Sequence, residues 1–264
     1  MTPISLTPWD LAAAGSLIAF DAVLSIALRL DLHRRILWAA ARMVVQLLAI
    51  GVLLRFVFDS RHPALTVAIV AAMAAIAARE MTVRTERRLP GPVGFGLSLG
   101  AVILATLVAL GLALATAIRP TPWYDPRYAI AIAGIVLGSV LNAGSLTLDG
   151  VLSGAARQRA AIEAQLALGA SFRASTAPLL REALRRGLLP AVNQMSAAGV
   201  ITLPGAMTGQ ILAGVEPMEA VKYQILLMFL LTGASALAAV VVGFGAMRLL
   251  TDDRQRLRLD RLVS

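Results

Sequence analysis

Seven apolar stretches run through this 264-residue chain, and each approaches or exceeds the roughly 20 residues an α-helix needs to cross a hydrocarbon core. They fall at Trp9–Leu28, Ile36–Phe58, Ala64–Ala78, Val93–Ile118, Tyr128–Leu148, Leu188–Ala213 and Ala220–Leu250, the third short and the last long enough to tilt. Inside lipid every backbone polar group must be satisfied within the protein, so such runs become helices. The expected fold is therefore all-α, a polytopic bundle of about seven spans forming one transmembrane domain over residues 1–264. Only 15% of residues are charged and the mean hydropathy is +0.79, whereas soluble domains carry about 25% charged residues. The opening MTPISLTPWD lacks the basic start of a cleavable signal, so the first apolar run is expected to be retained as a span.

The net charge of +9 does not point to nucleic acid, because the basic residues lie between apolar runs rather than on one polar domain. Eighteen arginines occupy alternate loops, at 29–35, 79–88, 157–186 and 248–261. The opposite loops hold only Arg61, Arg119, Arg127 and the membrane-edge Lys222. Basic loops stay in the cytoplasm, so the N-terminus is expected outside and the C-terminus inside, in agreement with an odd number of spans. Trp9, Trp38, Trp123 and Tyr124 lie near expected span ends, as interfacial aromatics do.

Hydrolytic chemistry has no candidate constellation. There is no cysteine, and the two histidines, His33 and His62, sit in short loops beside charged residues. A P-loop needs a lysine within GxxxxGK, yet the sole lysine is Lys222, between Val221 and Tyr223. No HExxH or GxSxG pattern occurs. The chain is thus expected to be no enzyme and to hold no cofactor of its own; any nucleotide energy must come from a partner.

Charges within the bilayer are costly unless paired or hydrated. Asp21 and Arg42 fall at similar depth in the first and second spans, where an interhelical ion pair is expected, with Gln46 one turn further along the same stripe. Such a pair serves either helix packing or a pathway. The sixth stretch, LLPAVNQMSAAGVITLPGAMTGQIL, is unlike a lipid-facing helix: it carries Pro190, Pro204, Asn193, Gln194, Thr208 and Gln210. Proline opens the helical ladder, so this segment is expected to be buried in the bundle or to line a cavity. Gly205 and Gly209 form a GxxxG step suited to close helix approach, as do Gly96 with Gly100 and Gly134 with Gly138. Asn142 is a further polar group for the same cavity. Met195, Met207, Met218 and Met228 cluster here too and read as packing filler rather than soft-metal ligands. Asp21 and Asp10 are the only carboxylates within expected spans, so no hard-metal cage is evident, and Asp10 falls at the outer interface.

Residues 149–187 read as two short amphipathic helices joined at Gly169, with Ser171 capping the second. The run EAQLALGAS, Glu163 to Ser171, resembles the cytoplasmic coupling segment of ABC-transporter permeases, in which a glutamate stands six residues before a glycine. The LP pair of the importer form is absent, which argues against the importers. The runs ARMVVQLLAIGVLL around Arg42 and Gln46, GSVLNAGSLTL around Asn142, and VITLPGAMTGQILAGVEPMEAVKYQILLMF from Val200 to Phe229 extend the likeness over almost the whole chain. Together they are similar to the Fet-type iron-export permease family. That resemblance implies an inner-membrane permease subunit working as a homodimer with a separate cytoplasmic P-loop ATPase that binds the ATP. It also implies a role in iron export or in metal and oxidative-stress resistance; plant relatives are linked to aluminium tolerance and nucleotide-sugar transport. Glu163, Gly169 and Ser171 become the expected ATPase-coupling residues. Asn142, Asn193, Pro204, Gly205, Gly209 and Gln210 become the expected pathway or interface residues. A membrane scaffold that transports nothing and an ion-driven carrier are the alternatives.

Overall fold

A computed structural model describes residues 7–60, 62–119, 122 and 125–263, and among these the chain is helical with no strand. Arg61, Trp123 and Tyr124, named above, lie outside the described residues. Helices α1 (Pro8–Ala27), α2 (His33–Ser60), α3 (Pro63–Val83), α4 (Gly91–Leu112), α5 (Pro126–Arg157) and α9 (Pro217–Leu249) are each long and apolar enough to cross a membrane. α4 continues as a π-helical turn over Ala113–Ile118. Between α5 and α9 come α6 (Arg159–Ala167), α7 (Phe172–Ala197) and α8 (Gly205–Leu212).

The chain divides into two compact units. The first is the α1–α2 hairpin with the short stretch 212–214. α1 starts on a capping box in which Thr7 accepts from the Asp10 amide while the Asp10 carboxylate accepts from the Thr7 amide at 2.7 Å. This occupies Asp10 as a cap. The turn to α2 closes when the Leu30 and Leu32 amides both donate to Ser25, to its carbonyl and hydroxyl oxygens, with Arg29 and Asp31 at positive φ. Ala22 and Ser25 are the buried residues of α1, and the most apolar stretch of α2 has none. In lipid such a surface needs no covering, because the tails are as apolar as leucine.

The second unit holds α3 to α9 except for the 212–214 stretch, and α5 is its centre, packed against α3, α4, α7 and α9. The contacts are made by small residues: Ala74, Ala77 and Ala78 on α3, Ala101, Ala105 and Ala109 on α4, Ala234, Ala238 and Ala246 on α9. Small side chains let helix backbones approach, and that dispersion gain drives association where no hydrophobic effect exists. Thr147 of α5 lies against Gly243 of α9, and further along Asn142 shares a pocket with Leu231 and Ser235, so α5 and α9 run parallel. α7 runs antiparallel to both: Leu180 meets Gly243, Gly187 meets Thr147, and Gln194 reaches Met228. The stretch from α7 to α8 therefore returns the chain from the arginine-rich end of α5 to the start of α9.

Three expectations change. The third span is not short, since α3 continues through Arg79 and Glu80 to Val83. Residues 149–157 belong to α5, and the second amphipathic helix is no short element, because α7 runs on through Pro178 and Pro190 to Ala197. The sixth span is accordingly not one helix. Each proline removes one amide but leaves the neighbouring bonds, whereas the break after Ala197 has a stronger cause: Gly199 takes φ +84° and Leu203 precedes Pro204, a position biased away from helix. The break is itself bonded, Gly199 N–H to Thr202 O at 2.9 Å and Thr202 N–H to Ala197 O at 3.1 Å.

Close helix approach also falls at other glycines than expected. A Cβ at Gly96, Gly100, Gly138, Gly205 or Gly209 would meet nothing within 4 Å, and one at Gly134 only Met73 Cε at 3.4 Å. The tight step is Gly150 with Gly154 on α5, against Ala183 and Leu179 of α7, together with Gly187 against α5.

Candidate coupling segment and polar chamber

At the arginine-rich end, α6 and α7 form a helix-turn-helix. Gly169 stands at φ +88° just past the end of α6, where the Ala170 amide donates to Gln165 O and the Gly169 amide to Leu166 O, both at 3.0 Å. A left-handed residue at this point satisfies the last carbonyls, and glycine adopts it without a Cβ penalty. Ser171 is the N-cap of α7 and accepts from the Ala174 amide. Ile162 is buried in the core while Glu163, one residue on, is exposed and pairs with Arg159 at 2.8 Å. An exposed i,i+4 pair contributes only about 0.3–0.5 kcal/mol, so Glu163 is available to an outside partner.

The C-terminal tail braces this turn. Gln255 Oε1 accepts from the Phe172 amide at 2.8 Å, in the first turn of α7, and Arg88 and Val263 exchange two backbone bonds at 2.8 and 2.9 Å. Asp252 holds the tail's bend by accepting from the Arg254 and Arg256 amides, and those bonds with the Arg256 guanidinium keep its carboxyl below the usual range. The Arg258 guanidinium beside Asp260 lowers that carboxyl to about 2. Nothing in the sequence marked Gln255 as a brace, because a tail glutamine has no periodicity to betray it. Gln255→Ala removes one part-buried acceptor, a loss of about 1 kcal/mol. Faster amide exchange at Phe172 is the expected result, and unchanged exchange would deny the brace.

Asn142 lies where the α3–α4 loop crosses α5. Its side-chain oxygen accepts from Arg84 at 3.2 Å, and about two turns further the Asp149 carboxylate accepts from the Glu86 amide at 2.9 Å and from the Ser153 hydroxyl. Arg84, Asn142, Ser145, Asp149 and Pro190 line an open chamber of about 370 Å³. A smaller space beyond it shares Asn142 and Pro190 and is bounded by Gln194, Thr232 and Ser235. Asn142 thus belongs near the arginine-rich end rather than deep in the bundle. Arg84 and Asp149 were not among the expected site residues; both read as ordinary loop charges until the fold set them beside Asn142.

The other expected residues disperse. Asn193 is exposed on α7 and lines neither space. Pro204 precedes α8, Gly205 begins it and Gly209 lies within it. Gln210 of α8 carries a buried side-chain oxygen without a hydrogen-bond partner. Asp21, Arg42 and Gln46 are all exposed on the hairpin. Among the described residues no group of three or more His, Cys, Asp or Glu side chains is arranged to hold a metal ion.

The break between α7 and α8 leaves Val200 and Ile201 89% and 80% exposed. Non-helical backbone at membrane depth is tolerated only inside protein or along water. The chain contains no cysteine, so single-cysteine labelling needs no prior substitution. Val200→Cys is expected to react with an impermeant maleimide about tenfold faster than Leu107→Cys, exposed midway along the apolar α4; equal rates would remove the hydrated break.

The family model described as an uncharacterised protein family (UPF0014) matches residues 8–250. The UPF0014 membrane protein slr1647 of Synechocystis sp. is 37% identical over 86% of this chain and 87% of its own length. The UPF0014 membrane protein STAR2 of Oryza sativa subsp. japonica is 34% identical over 87% of this chain and 78% of its own. A protein of Escherichia coli (strain K12) named probable iron export permease protein FetB is 27% identical over 99% of both chains. No solved structure matches.

Proposed function

This chain belongs to the UPF0014 family of multi-pass membrane proteins, and from that premise we propose that it is the permease subunit of an ABC-type exporter, driven by a separate cytoplasmic ATPase and carrying iron or another metal. The observation that carries the reading is α7 itself. One unbroken 26-residue helix leads from the capped turn at Ser171, past the chamber at Pro190 and Gln194, to the break at Ala198. A push on α7 at the capped turn is therefore carried about 39 Å along one helix. The arginine-rich end faces the cytoplasm, and the ATPase docks on Glu163 with Gly169 and Ser171 fixing the turn.

The cargo comes from the name borne by the Escherichia coli relative. A conduit does not need a resident metal cage, since passage requires contacts weak enough to release. ATP is bound by the partner alone, and two copies of each subunit complete the transporter. Glu163→Arg reverses the docking charge on an exposed residue, so folding is spared while co-purification of the partner ATPase falls at least about tenfold, a loss of about 1.4 kcal/mol or more. Undiminished co-purification and turnover would remove the docking role.

A further inference from the structure

We propose that the groove between α7 and α9 at the arginine-rich end binds an anionic phospholipid, its phosphate held by Arg173, Arg181 and Arg248 and its acyl chain laid over Leu184, Phe244 and Met247. The groove encloses about 580 Å³. Its floor is apolar up to the edge where the arginines stand, and Phe244 is 47% exposed within it. None of the three guanidiniums has a hydrogen bond or ion pair among the described residues. Three unspent cations around an apolar trough match one molecule that carries a phosphate and a hydrocarbon tail together.

Depth selects lipid over a soluble anion. From Lys222 to Arg248, α9 carries no charged residue, a rise of about 39 Å. That exceeds a hydrocarbon core of about 30 Å and approaches the full thickness with headgroups, so Arg248 reaches headgroup level and Phe244, one turn inward, reaches the acyl chains. Arginine bias makes this the cytoplasmic leaflet, where basic pockets between helices meet anionic headgroups. The site needs no ATPase, so its fate is separate from that of the permease assignment.

The test uses the purified full chain in phosphatidylcholine nanodiscs doped with photoactivatable phosphatidylglycerol or, in parallel, photoactivatable phosphatidylcholine. The glycerol lipid is expected to label the peptides bearing Leu184 and Phe244 about fivefold more than the choline lipid. Excess inorganic phosphate should not compete. R173A/R181A/R248A should bring labelling down to the choline level, and the corresponding triple lysine variant should retain much of it. Equal labelling by the two lipids, loss of labelling to inorganic phosphate, or full labelling of the alanine variant would each overturn the proposal. So would protection of these peptides by the partner ATPase in the absence of any lipid label. Should the alanine variant not fold, the arms on the unaltered protein decide alone.

Discussion

Replacing Gly187 with leucine is expected to remove most of the folded protein. A Cβ at this position would stand against the Thr147 hydroxyl and 2.7 Å from the carbonyl oxygen of Ala143, and a backbone atom inside a helix cannot rotate away. Leucine adds three more carbons to the same gap between α5 and α7. Overpacking of this kind costs about 1–3 kcal/mol where side chains can adjust, and more where the obstruction is backbone. Detergent-solubilised yield by fluorescence-detected gel filtration is the readout. Gly209→Leu, where nothing lies within 4 Å, is expected to fold. Equal yields from the two variants would mean that α5 and α7 are not packed as described.

Arg84→Glu is expected to reduce export at least about tenfold while leaving ATPase co-purification intact. The wild-type guanidinium donates to Asn142 and lies 3.8 Å from Glu80, at the mouth of a chamber that also contains Asp149. Glutamate removes the donor and sets a third carboxylate among two, so the α3–α4 loop loses one of its two ties to α5 and the chamber reverses sign. Arg84→Lys keeps the charge and is expected to lie between the two. A fully active Arg84→Glu protein would exclude the chamber from the pathway.

What could be read from sequence follows from the length scale of each signal. Apolar runs and arginine clusters extend over tens of residues, so the six long helices and the basic end were legible, and Gly169 and Ser171 were visible as a stop and a cap. The GxxxG at Gly205 and Gly209 looked as good as the step at Gly150 and Gly154, because spacing cannot say which helix face meets a neighbour. Pro190 and Pro204 were both expected to open the helical ladder, yet α7 passes through Pro190 and stops just before Gly199, since one lost amide is cheaper than a glycine followed by an X-Pro pair. Asn142 was found as a polar residue, but its partner Arg84 is 58 positions away and only tertiary structure joins them.

The most direct measurement is ATP-dependent iron movement in proteoliposomes containing this chain with the partner ATPase of the proposed transporter, compared with either protein alone. The account predicts movement only when both proteins and ATP are present, abolished by an ATPase that cannot hydrolyse. Movement by this chain alone under an ion gradient, or ATP-driven turnover of the pair with neither iron nor any other metal moved, would contradict it.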